Sequence, residues 1–149
     1  VDVLKEDERY QKLRDQIYQT AIKTTSKSEK KALLDESTAA EYIEKLVEHV
    51  EQHEAVLDPN LTLRSLADQI DLHPNKLSWL INEMHDQNFN QFINKYRIEH
   101  FKKLAVNPDN SQFSIIGLAY ESGFNSKTVF NTYFKKSTGL SPKAWINAQ

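Results

Sequence analysis

Residues 114–139, SIIGLAYESGFNSKTVFNTYFKKSTG, decide the fold, because they place two runs of helical spacing on either side of one turn. The first run carries an apolar face, formed by Ile115, Ile116, Leu118 and Ala119. Gly123 marks the turn, and a second helix is predicted to begin at Ser126. The stretch therefore predicts a short capped helix, a tight turn and a second helix.

The same plan occurs upstream, in residues 57–84, LDPNLTLRSLADQIDLHPNKLSWLINEM. Thr62 is placed to cap a first helix, and Pro74 stands where the first turn of a second helix tolerates proline. The apolar positions of the two helices are Leu63, Leu66, Ala67 and Ile70, then Leu77, Leu80, Ile81 and Met84. The two stretches can be laid over each other at an offset of about 53 residues. The chain therefore contains an internal repeat of two helix-turn-helix units.

The segment between the units, residues 88–105, predicts one long helix. Its apolar residues cover much of the circumference and are Phe89, Phe92, Ile93, Tyr96, Ile98, Phe101 and Leu104. A helix of this kind is expected to be buried between two bodies. Because the chain has only three glycines and no sustained strand-like alternation, the predicted fold class is all-α.

Two further helices are predicted before the repeat. The first has a narrow apolar stripe suited to a partner helix, formed by Tyr10, Leu13, Ile17 and Ala21. The polar stretch 23–38 is typical of a linker. A second helix over about 39–55 has an apolar face, formed by Tyr42, Ile43, Leu46, Val47 and Val50, and an acidic face, formed by Glu44, Glu48 and Glu51.

Composition describes a polar chain that has enough apolar residues for a core. Charged residues make up 27% of the 149 residues and hydrophobic residues 39%, and the mean hydropathy is -0.65. No cysteine, phosphate-binding glycine loop or paired-carboxylate cleft is evident, so we expect neither an enzyme nor a cofactor. No apolar run approaches the roughly 20 residues of a membrane span. Because the chain begins with Val, we expect a larger parent protein, and a membrane anchor in that parent is left open.

The net charge of -2 conceals a difference between two parts of the chain. Residues 1–57 hold 9 Lys and Arg against 13 Asp and Glu, a net charge of -4, whereas residues 58–149 hold 10 against 8, a net charge of +2. The mildly basic part contains the repeat. A negative net charge for the whole chain therefore does not exclude a nucleic-acid partner.

One face of the second helix in each unit is polar and free of acidic residues. In the second unit this face consists of Lys127, Thr128, Asn131, Thr132 and Lys135, and in the first unit of Asn75, Lys76, Ser78, Trp79 and Asn82. The opposite side of the second helix in the second unit is expected to pack on the core of that unit. Its residues are Val129, Phe130, Tyr133 and Phe134. In a major groove, Asn can pair with adenine, Lys can reach guanine or phosphate, and Thr can touch a thymine methyl. One such face is usually only solvated, but two on corresponding helices favour a DNA-reading surface.

From about Leu61 to Ile146, roughly 86 of 149 residues, the chain resembles the AraC/XylS-type DNA-binding domain. The stretch 115–145 carries the spacing of that family's C-terminal signature, at Gly123-Phe124, Phe130, Phe134-Lys135, Gly139 and Pro142. The resemblance implies seven helices, in which each of two helix-turn-helix units inserts one helix into successive major grooves of double-stranded DNA. The implied base contacts are Asn75, Ser78, Trp79, Asn82, Lys127, Thr128, Asn131 and Thr132. The expected phosphate contacts are Lys76, Lys135, Lys136 and Lys143.

These features predict a sequence-specific DNA-binding transcription regulator, the cytoplasmic output part of a larger sensor-regulator. Residues 1–38 are the predicted signalling or dimerising segment, a helix and polar linker, and residues 39–149 the DNA-binding domain. Within that domain, the first unit is expected at about 61–86, the connecting helix at about 88–105 and the second unit at about 114–139. The expected partner is DNA, self-association through the N-terminal helix is left open, and no small-molecule ligand is expected. The alternative is a helical protein-interaction module that keeps the fold without reading DNA.

Three residues depart from the family pattern. Asp86 stands where the family usually has Gly, which is expected to strain the end of the first unit's second helix. Gly117 lies within a helix and is expected to cost about 1 kcal/mol relative to Ala. Phe101 replaces a common Ala in the connecting helix and is expected to alter packing between the units.

Several other residues have alternative roles. His49 and His53, one helical turn apart, could share a metal ion, but no third ligand is evident and no metal is expected. Arg97 could contact phosphate, although an internal pair with an acid is favoured. Trp79 could lie at the edge of the core, although contact with DNA is favoured. Trp145 is expected to pack in the core or at the C-terminus.

Overall fold

The computed structural model describes residues 10–16, 36–85 and 87–149. The helices among them are α1 (10–16), α2 (Glu36–Gln52), α3 (Leu63–Gln69), α4 (Pro74–His85), α5 (Phe89–Val106), α6 (Ile115–Glu121), α7 (Lys127–Thr138) and α8 (Pro142–Asn147). Short 3-10 turns occur at Ala55–Leu57 and Pro108–Asn110, and no strand occurs in the described residues. The prediction of an all-α fold is confirmed. Within these described ranges, no helix is both long enough and apolar enough to cross a membrane.

The chain divides into two compact units. The first comprises the described residues of Val1–Ala55 together with Leu61–Phe92, and the second comprises Val56–Asn60 and Ile93–Gln149. Helix α5 therefore contributes its first turn to the first unit and its remainder to the second. The middle of the connection between α2 and α3, Val56–Asn60, belongs to the second unit, which no sequence pattern indicated.

In the first unit, α1 is joined to α2. Leu13 is buried, and the guanidinium of Arg14 forms an ion pair with the carboxylate of Glu51. The other members of the predicted stripe, Ile17 and Ala21, lie outside the described residues. Helix α2 begins a few residues earlier than predicted and buries the apolar residues Ile43, Leu46, Val47 and Val50.

The first helix-turn-helix has the caps that its sequence predicts. The Oγ1 of Thr62 accepts a hydrogen bond from the N–H of Ser65 at 3.0 Å, and the Oγ of Ser65 accepts one from the N–H of Thr62 at 2.9 Å. This reciprocal pair is a capping box at the start of α3. Pro74 is the first residue of α4, as predicted. The buried apolar residues of the two helices are Leu66, Ala67, Leu77, Leu80 and Ile81.

Phenylalanine rings form the core of the second unit. The ring of Phe101 is fully buried, and its centroid lies 4.8 Å from that of Phe130 and 5.4 Å from that of Phe134. The ring of Phe124 lies 5.2 Å from that of Phe130. Ile98, Leu118 and Ala119 complete this buried cluster. Phe101, one of the departures from the family pattern, therefore takes part in the core of the second unit.

Both glycines that flank α7 have positive φ angles, 100° at Gly123 and 78° at Gly139. Gly139 ends α7 in the left-handed conformation, and its N–H donates to the carbonyl oxygen of Lys135 at 2.7 Å. The indole of Trp145 meets the ring of Phe134 edge-on at 5.8 Å. Trp145 therefore packs against the core, as expected.

Gly117 occupies the first turn of α6, where the cap of that helix lies. Its N–H donates to the Oγ of Ser114 at 3.0 Å, and a Cβ on Gly117 would lie 2.9 Å from the same oxygen. The glycine leaves room for the capping hydroxyl, so its lower helix propensity is offset by an unhindered cap. Asp86, the remaining departure, lies outside the described residues.

Candidate nucleic-acid interface

Helix α7 presents a continuous polar face to solvent. The Oγ of Ser126 accepts a hydrogen bond from the N–H of Val129 at 3.2 Å and caps the start of the helix. On the core side, Phe130 and Phe134 are fully buried and fix the rotation of α7 about its axis. The predicted reading residues of this helix are all exposed: Lys127, Thr128, Asn131, Thr132 and Lys135. Thr128, Thr132 and Lys135 lie on the side opposite the two rings, whereas Lys127, three residues before Phe130, is exposed at the start of the helix on the same side as the rings. Because α7 contains no acidic residue, no side chain of the helix repels an anion at this face.

Val129 belongs to the exposed side of α7, and the prediction that it helps hold the helix to the core is wrong. Its side chain is 40% exposed. Phe130 and Phe134 are four residues apart and define the centre of the buried arc, from which Val129 is more than a quarter turn away. Val129 lies beside Thr132, which follows it by three residues, and its methyl groups add an apolar patch to the polar face. A helical projection centred on those two phenylalanines would have identified it.

Helix α4 has a corresponding but less open surface. Asn75, Lys76 and Asn82 are exposed, whereas Ser78 and Trp79 are only half-exposed. The Nδ1 of His73 accepts a hydrogen bond from the N–H of Asn75 at 3.1 Å, at the start of the helix.

Glu83 borders this surface of α4. It follows Trp79 by four residues, so the two side chains share a side of the helix. The carboxylate is half-exposed. The α4 surface is therefore more enclosed than that of α7 and carries a negative charge at its edge.

The lysines expected to bind phosphate are all exposed. Lys76 lies on α4, Lys135 and Lys136 lie in the last turn of α7, and Lys143 lies on α8. The two lysines on α7 also complement the negative end of that helix dipole. The second unit thus combines its polar helix face with three exposed ammonium groups.

Arg97 makes internal contacts, but its hydrogen-bond partners are two backbone carbonyls and the side-chain amide of Asn94, and not the side chain of an acid. Its Nε donates to the carbonyl oxygen of Val56 at 2.7 Å, and its Nη2 donates to that of Asp58 at 2.8 Å. Burial lowers the pKa of the Arg97 guanidinium below its ordinary value, and the nearby charge of Asp58 opposes that shift. These internal hydrogen bonds hold the Arg97 guanidinium in place without DNA.

His49, in α2, and His53, just after the end of that helix, have ordinary structural contacts. The rings of His49 and His53 lie 5.1 Å apart, and the Nε2 of His49 is hydrogen-bonded to the Oε1 of Gln69 at 2.7 Å. Across the part of the chain that the structure describes, no group of three or more His, Cys, Asp or Glu residues is arranged to hold a metal ion.

Comparison with known proteins identifies relatives over the C-terminal part of the chain. Residues 66–148 match the model of a helix-turn-helix domain family. The uncharacterized transcriptional regulatory protein YesN of Bacillus subtilis (strain 168) is 32% identical over 95 residues, 62% of this chain and 25% of the relative. The melibiose operon regulatory protein of Escherichia coli (strain K12) is 28% identical over 88 residues, 59% of this chain and 28% of the relative. The chain thus spans about a quarter of the length of these curated relatives.

A solved structure shares the fold. It is the DNA-binding domain of AdpA, a global transcriptional factor, in complex with a target DNA. The two structures superpose with a TM-score of 0.59 at 18% sequence identity, over 70% of this chain and 89% of that one. The family match covers more than half of the chain and includes most of both helix-turn-helix units, so this chain belongs to the AraC-type family of helix-turn-helix DNA-binding domains.

Proposed function

We propose that this chain is the DNA-binding output part of a transcription regulator, and that α4 and α7 read base sequence in successive major grooves. In this proposal residues 39–149 form the DNA-binding domain, with the first helix-turn-helix at about 61–86 and the second helix-turn-helix at about 114–139. Residues 88–105 are the connecting helix between them. The regulatory names of the two curated relatives and the target DNA bound to AdpA support this proposal.

The observation that carries the proposal is the exposed face of α7. Its residues offer the donors, acceptors and methyl groups that distinguish base pairs in a major groove. The proposed base contacts of α7 are Lys127, Thr128, Asn131 and Thr132, and Val129 supplies an apolar surface for a thymine methyl. Because two buried phenylalanine rings hold α7 to its core, the helix that carries these groups is already ordered before binding.

The remaining proposed contacts lie on α4, α7 and α8. On α4, base contacts are assigned to Asn75, Ser78, Trp79 and Asn82. Phosphate contacts are assigned to Lys76, Lys135, Lys136 and Lys143. The half-exposed side chains and bordering carboxylate of α4 lead us to expect a smaller share of the sequence discrimination from the first unit.

The chain is proposed to be the cytoplasmic output part of a larger sensor-regulator, in which residues 1–38 carry the signal or mediate self-association. Leu13 is buried within this chain and Arg14 is paired with Glu51. Self-association through the N-terminal segment would therefore draw on other members of the predicted apolar stripe. Sedimentation velocity of the chain with and without residues 1–35 tests this part of the proposal.

Selection of bound sites from a random pool of double-stranded DNA tests the central proposal. A consensus site should emerge, and the logarithm of its association constant should fall linearly with that of the salt concentration, by about 0.9 per phosphate neutralised. Absent binding, or binding that is independent of salt, would instead indicate a protein-interaction module.

Two substitutions on α7 separate base reading from phosphate binding. Asn131→Ala should lose discrimination at particular base pairs, by about 1–3 kcal/mol for a bidentate contact. Lys136→Ala should weaken binding to all sequences and lower the salt slope by about 1. Ser137→Ala, an exposed position outside the proposed contacts, is the control. Equal losses on selected and random DNA for Asn131→Ala would contradict its assigned role.

A further inference from the structure

We infer that Arg97 is a positioning residue for DNA reading by α7, acting through residues 56–60, which are called the strap below. The inference rests on the proposed function in one respect, namely that α7 reads bases. It adds a residue that touches no DNA and a segment that precedes the residues matched to the family, 66–148.

The guanidinium of Arg97 holds two points of the strap at once. Its Nε donates to the carbonyl oxygen of Val56 at 2.7 Å, and its Nη2 donates to that of Asp58 at 2.8 Å. Its Nη1 donates to the Oδ1 of Asn94 at 3.3 Å, which braces the guanidinium against its own helix. A planar fork can bridge two carbonyls in this way, whereas the single ammonium of a lysine cannot reproduce the geometry.

The strap also contacts residues 123–125, the turn that precedes α7. The backbone of Gly123 approaches Val56 so closely that a Cβ would lie 2.1 Å from the Val56 carbonyl oxygen. The guanidinium carbon of Arg97 lies 6.0 Å from the centroid of the Phe124 ring. The Nδ2 of Asn125 donates to the carbonyl oxygen of Pro59 at 3.4 Å. Three consecutive residues thus contact the strap or the arginine that holds it.

The next residue along the chain, Ser126, is the N-cap of α7. A shift of the turn would therefore move the start of the reading helix, and small displacements of groups that must meet base edges reduce discrimination. The strap follows α2 directly in sequence, so the N-terminal helices are covalently continuous with the segment that sets this turn. Arg97 is accordingly assigned to orientation of α7 and not to a phosphate.

The test compares Arg97→Met and Arg97→Lys with wild type in the full chain, using a DNA site selected by wild type. Each variant is titrated with that site and with sites altered at the base pairs sensitive to Asn131→Ala, at several salt concentrations. Lys102→Met is the matched control, since it removes a cation from the same helix. The Nζ of Lys102 pairs with the carboxylate of Glu99 at 3.1 Å. Circular dichroism establishes that each variant is folded.

Both Arg97 variants should lose about 10-fold in discrimination at the α7 base pairs, equivalent to about 1.4 kcal/mol, with an unchanged salt slope. Unchanged discrimination in folded Arg97→Met would overturn the inference. So would recovery by Arg97→Lys, which would show that charge alone matters, or a salt slope lowered by about 1, which would show a phosphate contact.

A second pair of variants serves if Arg97→Met does not fold. The Oδ1 of Asp58 accepts a hydrogen bond from the N–H of Asn60 at 2.9 Å and shapes the strap. Asp58→Ala and Asp58→Asn both remove the charge, but only Asp58→Ala removes this acceptor. Asp58→Ala should reduce discrimination relative to Asp58→Asn, and equal discrimination would overturn the inference. Failure of the proposed function is distinct, because wild type itself would then select no DNA site.

Discussion

Replacing Gly123 by Ala should destabilise the second unit far more than a glycine substitution at an ordinary turn. The φ angle of 100° is one that L-residues rarely adopt, and forcing it costs about 1–2 kcal/mol. The new Cβ would also lie 2.1 Å from the carbonyl oxygen of Val56 and 2.7 Å from the Nε of Arg97. Relieving that overlap means moving the strap, at about 1–3 kcal/mol for overpacking. It also weakens a charged hydrogen bond worth about 1.5–3 kcal/mol.

Because these contributions overlap, we expect a total loss of about 3–6 kcal/mol, a large part of the 5–15 kcal/mol that is typical of a domain. Gly139→Ala is the matched control, since Gly139 also has a positive φ angle, 78°, but a Cβ there meets nothing within 4 Å. It should lose only the conformational cost, about 1–2 kcal/mol.

Urea unfolding followed by tryptophan fluorescence measures the difference between the two substitutions. The chain has two tryptophans, so a Trp79→Phe background leaves Trp145, which packs on Phe134, as a reporter of the second unit. If Gly123→Ala and Gly139→Ala lose the same free energy of unfolding, the close approach of the strap to the turn is refuted.

Three further substitutions probe individual parts of the fold. Phe101→Ala should lose about 3–5 kcal/mol in the same urea assay, because it removes a fully buried ring that contacts two others, and a loss below 1 kcal/mol would contradict that core. Gly117→Ala should be nearly neutral, since a gain of about 1 kcal/mol in helix propensity is offset by disturbance of the Ser114 cap. Lys95→Met should raise the melting temperature at neutral pH, because burial lowers the pKa of the Lys95 ammonium below 10.5 and the folded state therefore disfavours its charge. That advantage should shrink as the pH rises through the lowered pKa towards 10.5, and a pH-independent difference would show that apolar contact is responsible.

Local features of the chain could be predicted because their causes lie within a few residues of sequence. The cap at Thr62 and the helix start at Pro74 depend on neighbouring backbone groups alone. The exposure of Thr128, Thr132 and Lys135 on α7 follows from its helical period once Phe130 and Phe134 are assigned to the core.

Other features depended on contacts that no local pattern encodes. Val129 was misassigned because its residue type suits a core, whereas the position of the neighbouring rings decides which arc of α7 is buried. Arg97 was expected to meet an acid because side-chain charges are visible in a sequence. Besides the side-chain amide of Asn94, its actual partners are backbone carbonyls, which every residue has, and the carbonyl of Val56 is 41 positions away in the chain.

The sequence by itself determined that this protein is helical, that it repeats a helix-turn-helix plan, and that α7 has one apolar and one acid-free side. These properties follow from side-chain periodicity, caps and glycine positions, which act over one or two helical turns. Only the tertiary structure decided that residues 56–60 belong to the second unit and that Gly123 must be glycine for lack of space as well as for its φ angle. Both depend on the approach of two backbone segments distant in sequence, and backbone atoms carry no residue-specific signal of which segment they will meet.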